Sequence, residues 1–119
     1  MKKGIKDTAF KEETFDLLDI RIGKVIRVEE EPQAPKKAYK LEIDFGKFGV
    51  KTSVGRFTQH TPDEMLNQSV LAILNFEPRQ IGNTVSEVLV LGVQYPKADS
   101  GEATIISPIA PAKIGGKVF

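Results

Sequence analysis

The chain contains no cysteine and a single histidine, His60. Without thiols there is no disulfide scaffold, no thiolate nucleophile, no Cys-ligated zinc and no iron–sulfur cluster. One imidazole per chain also removes a clustered-histidine metal site. Charge of one sign is lacking too, because 17 Lys and Arg face 16 Asp and Glu for a formal net charge of +1. No global basic field therefore announces a nucleic-acid partner. Nor does any run approach the ~20 apolar residues of a membrane-crossing helix. These absences point to a soluble cytoplasmic domain, with no metal, no cofactor and no membrane insertion expected.

What is present fits one compact unit. The 119 residues (13.1 kDa) are 40% hydrophobic and 28% charged, an ordinary balance for a single folded domain. A core this thin makes self-association a reasonable way to bury more surface. The start, Met1 to Glu13, carries Lys2, Lys3, Lys6 and Lys11 with no apolar stretch behind them, so it is not a secretory signal. Asp7, Glu12, Glu13 and Asp16 match those lysines, and residues 1–13 read as a solvated arm ahead of a domain spanning 14–119.

Beyond the arm the dominant hydrophobic period is two. Thr14 is placed to cap one helical turn through Phe15–Leu18. Ile20, Ile22, Ile26 and Val28 share a phase in a long first strand, and Gly23 within it predicts a bulge or sharp bend. Glu29-Glu30-Glu31, Pro32 and Pro35 close it with a loop. Tyr39, Leu41, Ile43 and Phe45 alternate with charged residues in a second strand; Gly46–Gly49 turns into a third, where Val50, Thr52 and Val54 alternate with Lys51 and Ser53. Thr61-Pro62-Asp63-Glu64 predicts a capping box with proline at the first helical position. Val70–Phe76 reads as a central strand, Pro78–Thr84 as a loop, Val88–Val93 as the fifth strand and Thr104–Ile106 as a last short one. Five strands with a short helix between the third and fourth predict an all-β OB-fold, a Greek-key barrel, with an SH3-like barrel as the rival.

No enzyme signature emerges. His60 with Asp63 could in principle serve as a base, but a histidine just before a helix cap is expected to be structural or solvated. Gly46-Lys47-Phe48-Gly49 has the letters of a GXXG clamp, yet it lies between strands rather than helices and reads as a turn. Local charge is more informative. From Lys36 to Arg56 six basic residues, Lys40 and Arg56 among them, face only Glu42 and Asp44. In an OB-fold the second and third strands and adjoining loops form the usual binding surface, where cations neutralise phosphates and rings stack on bases. Candidate rings are Phe48, Phe57 and Phe76. Phe57, among polar neighbours, is expected to be exposed, while Phe76 is either a stacking ring or a core residue. Arg79 stands beside Pro78 on the loop between the fourth and fifth strands, there to contact phosphate or base edges, or to pair with Glu77 or Glu87.

Four ordered stretches carry a family resemblance. Asp19-Ile20-Arg21-Ile22-Gly23-Lys24-Val25 resembles the opening motif of the tRNA-binding domain found at the ends of some aminoacyl-tRNA synthetases. Ala38–Gly46, Asn75–Gly82 and Ser86–Gly92 resemble, more narrowly, the stand-alone CsaA-type members of that family. The resemblance implies an OB-fold homodimer built by extensions at both chain ends. It further implies a ligand that is tRNA or an unfolded polypeptide, bound without catalysis. Carried over by motif, Arg21, Ser53, Asn75, Arg79 and Ser86 fall on binding positions. Two departures stand out: Ser53-Val54-Gly55-Arg56 keeps one serine where the family has a serine-rich loop, and the charged arm adds about a dozen residues.

Overall fold

A computed structural model describes residues 4–97 and 101–119. Short 3-10 turns at Lys11–Glu13 and Phe15–Leu17 precede strands β1 (Ile20–Glu30), β2 (Tyr39–Asp44) and β3 (Val50–Gly55). Helix α1 (Pro62–Met65) follows, then β4 (Ser69–Ile73), β5 (Arg79–Ile81), β6 (Thr84–Ser86), β7 (Leu89–Val90), β8 (Gly92–Gln94) and β9 (Ala103–Ile105). One five-stranded antiparallel sheet runs β3-β2-β1-β4-β7. It curls until its edges meet: the N–H groups of Glu87 and Val88 donate to Thr52 O at 2.8 and 3.4 Å. The result is a nearly closed OB-type barrel with α1 between β3 and β4. No helix among the described residues is long and apolar enough to cross a membrane.

Val25, Leu41, Ile43, Phe45, Met65 and Val70 fill the interior, each at most 1% exposed. β2 alternates as its sequence predicts, with Tyr39, Leu41 and Ile43 buried and the residues between them half-exposed. At α1 both halves of the capping box form: Thr61 N–H donates to Glu64 Oε1 (2.7 Å) and Glu64 N–H to Thr61 Oγ1 (3.2 Å). The Thr61 backbone N–H first, then the Thr61 hydroxyl, favour the charged carboxylate and hold Glu64 below its ordinary pKa. Thr14 does not cap its turn; its hydroxyl donates back to Phe10 O at 2.8 Å. The arm from Gly4 to Glu13 is exposed throughout, and Lys2 and Lys3 lie outside the described residues.

The structure corrects several strand details. Gly23 is not the bulge: a Cβ there would sit 2.4 Å from Ile43 Cγ2 and 2.6 Å from the Phe45 ring. Glycine is needed for close packing, and the register slip lies between Val25 and Arg27. Ile20 and Ile22 are buried as the phase predicts, and beyond them Val25 rather than the exposed Ile26 faces the core. In β3 the facing pairs are Leu41 with Ser53 and Lys40 with Val54. Opposed residues share a face, so Ser53 turns inward and Val54 outward, the reverse of the simple apolar-in pattern. β4 ends at Ile73, and Pro78–Thr84 is a β5–β6 hairpin rather than a loop. Gly82, at φ +60°, takes the first central position of its two-residue turn. The fifth strand breaks at Leu91, so β7 pairs with β4 and β8 with β9, and the last strand starts one residue early.

Candidate nucleic-acid interface

The β5–β6 hairpin stands outside the main sheet and leans on β3. Two side chains tie it down: Ser86 Oγ accepts from Val54 N–H (3.0 Å), and Glu87 Oε1 from Thr52 N–H (3.0 Å). Its tip presses on the loop after β1, where a Cβ on Gly82 would lie 2.7 Å from the Gln33 carbonyl carbon. Beneath that tip Glu31 is buried, accepting from the Thr84 hydroxyl and from Gln33 N–H. The Thr84 bond first, then the Gln33 bond, lowers its pKa by favouring the carboxylate.

Between hairpin and barrel lies a shallow groove enclosing about 80 Å³, walled by Val54, Ile81, Val88 and Leu89 with Phe76 and Arg79 at its rim. Phe76 is 45% exposed, as is Leu89. Arg79 is exposed and forms no ion pair with either Glu77 or Glu87. A flat ring, a planar guanidinium and an apolar floor can hold a base by stacking and edge contact, or an extended chain by its side chains. Glu77 and Glu87 also line the groove, so its own charge does little to attract phosphate.

The other sequence-predicted residues separate into neighbours of the groove and parts of the frame. Lys40 faces Val54 across the β2–β3 ladder and lies beside the groove, and Ser86 lines it while closing the barrel. Ser53 is buried at 1% and Phe57 at 3%, against the expected exposure of Phe57. Bare Gly55 and Gly92 make room for the Phe57 ring, since a Cβ on either would fall within 2.8 Å of it. Arg56 is drawn to Glu102 (3.5 Å) and to Lys37 O (3.5 Å), away from β3's outer face. Asn75 clamps the N-terminal segment, accepting from Asp19 N–H (2.7 Å) and donating to Leu17 O (2.9 Å). Arg21 donates to Asp19 (2.8 Å) and Gly115 O (3.1 Å) and lies 4.2 Å over the Phe48 ring. The basic stretch from Lys36 to Arg56 is thus dispersed over several faces.

His60 is a frame residue as well. Its Nε2 lies 2.9 Å from Thr104 Oγ1, its ring meets Tyr95 edge-on at 5.8 Å, and its carbonyl accepts from Tyr39 Oη (2.8 Å). Among the described residues no group of His, Asp and Glu is arranged to hold a metal ion. Sequence reasoning missed Glu31, the outward Val54 and the groove walls Ile81 and Leu89. The available signal was Gly82-Asn83 between Ile81 and Thr84, a hairpin dipeptide hidden by very short strands.

Comparison with known proteins agrees with this architecture. Residues 20–117 match the model of the tRNA binding domain family. The methionine–tRNA ligase of Pyrococcus horikoshii is 36% identical over 108 residues, which cover 89% of this chain but 14% of the ligase. The chain therefore spans about a seventh of the length of that relative. The crystal structure of CsaA chaperone protein from Picrophilus torridus superposes with a TM-score of 0.83 at 35% identity, covering 93% of this chain and all of that one. Chaperone CsaA from Bacillus anthracis str. Ames gives 0.82 at 36% identity, covering 95% and 100%. The chain belongs to the tRNA-binding domain family and is of the CsaA type.

Proposed function

As a CsaA-type member of this family, the chain is, we propose, a non-enzymatic RNA-binding module that takes tRNA on the groove between β3 and the β5–β6 hairpin. The observation that carries this reading is the pairing of an exposed ring, Phe76, with an arginine, Arg79, that has neither neighbouring carboxylate as a partner. Arg79 and Phe76 contact base and backbone, Lys40 stands beside them, and Ser86 and Glu87 keep the hairpin in place. The matched domain is a small part of methionine–tRNA ligases, which suits a binding role attached to chemistry done elsewhere. Such a ligand places the protein in the cytoplasm. Residues 14–119 form the binding domain and residues 1–13 an appended arm. Exposed Phe10, Leu17, Ile109 and Phe119 suit a homodimer built by the chain ends, which would present two grooves and raise avidity for a folded RNA.

The test is a titration with bulk tRNA at low and moderate salt, with Arg79→Ala alongside. Binding is expected to weaken with salt, as phosphate-driven association does, and to weaken again in the variant. No binding at low salt would refute the reading. A second reading is favoured by the groove's apolar floor of Val54, Ile81, Val88 and Leu89. It is capture of an unfolded polypeptide, as in an export-related chaperone. Its mark is a negative heat-capacity change on binding with little dependence on salt.

A further inference from the structure

The groove at the hairpin offers stacking but little charge, which leaves phosphate attraction to another part of the surface. A second depression, of about 320 Å³, lies where the turn after β2 meets the C-terminal segment. Arg21, Lys47, Lys113 and Lys117 line it together with Phe48, and no lining residue is acidic. Its floor is held by backbone bonds: Gly115 N–H donates to Ile22 O (2.7 Å), Ile22 N–H to Gly116 O (3.0 Å) and Val118 N–H to Ile20 O (2.9 Å). The C-terminal segment thus extends the sheet beside the first half of β1, carrying Lys113 and Lys117 to the turn that bears Lys47. Gly115, at φ +81°, comes so close to the turn that a Cβ would lie 2.6 Å from Phe45 O.

Two carboxylates beside this cluster are already engaged. Asp19 is paired with Arg21 (2.8 Å), and Asp44 Oδ1 accepts Gly46 N–H (2.8 Å). Lys47, Lys113 and Lys117 are exposed and form no ion pair among the described residues. Three unpaired ammonium groups and a ring-backed guanidinium are suited to a chain of phosphates rather than to a carboxylate or a metal.

We propose that this cationic groove is a second contact for the RNA, binding its phosphate backbone while the hairpin groove holds bases. The inference rests on the RNA reading above. β3 links the two places, with Val54 at the hairpin groove and Val50 next to the turn. At ~3.3 Å per residue the step from Val50 to Val54 covers roughly 13 Å, about four rises between stacked nucleotides at ~3.4 Å each. Along that path Glu42 is paired with Arg27 (3.6 Å), which partly neutralises its charge.

The test uses isotope-labelled full-length protein and its Lys113→Ala/Lys117→Ala variant, with two probes, inorganic tripolyphosphate and a short single-stranded RNA. Tripolyphosphate is expected to shift the amide signals of Lys47 and residues 114–117 in the wild type and not in the variant. RNA is expected to shift those signals and the Phe76–Leu89 signals together. The variant should also show a shallower salt dependence of RNA affinity, by about 0.7 per lost phosphate contact. RNA shifts confined to Phe76–Leu89, with an unchanged salt slope, would overturn the second contact and leave the RNA reading standing. RNA shifts at neither groove would overturn both, even if tripolyphosphate binds.

Discussion

The hairpin groove and the His60 region carry comparable polar and aromatic chemistry, but they use it differently. Around His60 the groups satisfy one another: imidazole with Thr104, ring edge with Tyr95, carbonyl with the Tyr39 hydroxyl, and Glu64 with its own helix cap. At the hairpin, Ser86 and Glu87 are spent on holding the frame, while Phe76 and Arg79 extend past it. The difference teaches where to look for function. A side chain whose bonds end inside the protein keeps the fold; one held in place by neighbours yet lacking a partner is available to a ligand.

Four substitutions can break or sharpen that contrast. The largest effect is expected from Phe57→Ala, which empties a core site between Gly55 and Gly92. It should cost about 3–5 kcal/mol in urea unfolding while tRNA affinity per folded molecule stays unchanged. An affinity loss with intact stability would return Phe57 to the binding surface. Phe76→Ala, by contrast, should leave the urea midpoint nearly unaltered and lower tRNA affinity by about 1–3 kcal/mol, the range of one base stacked on a ring. Thr61→Ala removes half of the capping box, and thermal unfolding should register a loss of about 1 kcal/mol with no change in tRNA binding.

The smallest effect concerns acid. The Glu31 carboxylate is favoured in the folded state by Thr84 and Gln33, so its pKa lies below the ordinary 4.5. A lowered carboxylate adds stability that is present above the unfolded value and fades as pH falls through the folded one. The wild type should therefore lose stability below about pH 4.5, and Glu31→Gln should lack that part of the acid dependence. Equal acid profiles in the two proteins would mean that Glu31 does not hold the hairpin tip.

Much of the frame was legible because local signals agreed with tertiary need. The Tyr39–Phe45 alternation, the Thr61–Glu64 box and the order of strands and helix all appear where their residues place them. What was not legible depends on partners far along the chain. Gly23 reads as a bulge until Ile43 and Phe45 are packed over it, and Phe57 reads as exposed until the distant Gly92, together with the nearby Gly55, makes room for its ring. Val54 reads as interior because β3 shows one apolar phase, while the hairpin that covers its outer face comes thirty residues later. At the candidate site, the sequence marked Arg79 and Phe76 as residues of interest but left each between two roles. Only the placement of Glu77, Glu87 and the barrel edge separates an ion-paired arginine and a core ring from an exposed pair.

The most direct test of this account is the tRNA dissociation constant of Phe76→Ala set against that of His60→Ala, measured at low salt on samples of verified fold. The account predicts a loss of about 5- to 150-fold for Phe76→Ala and none for His60→Ala. Equal losses in the two variants, or an unchanged constant for Phe76→Ala, would contradict it.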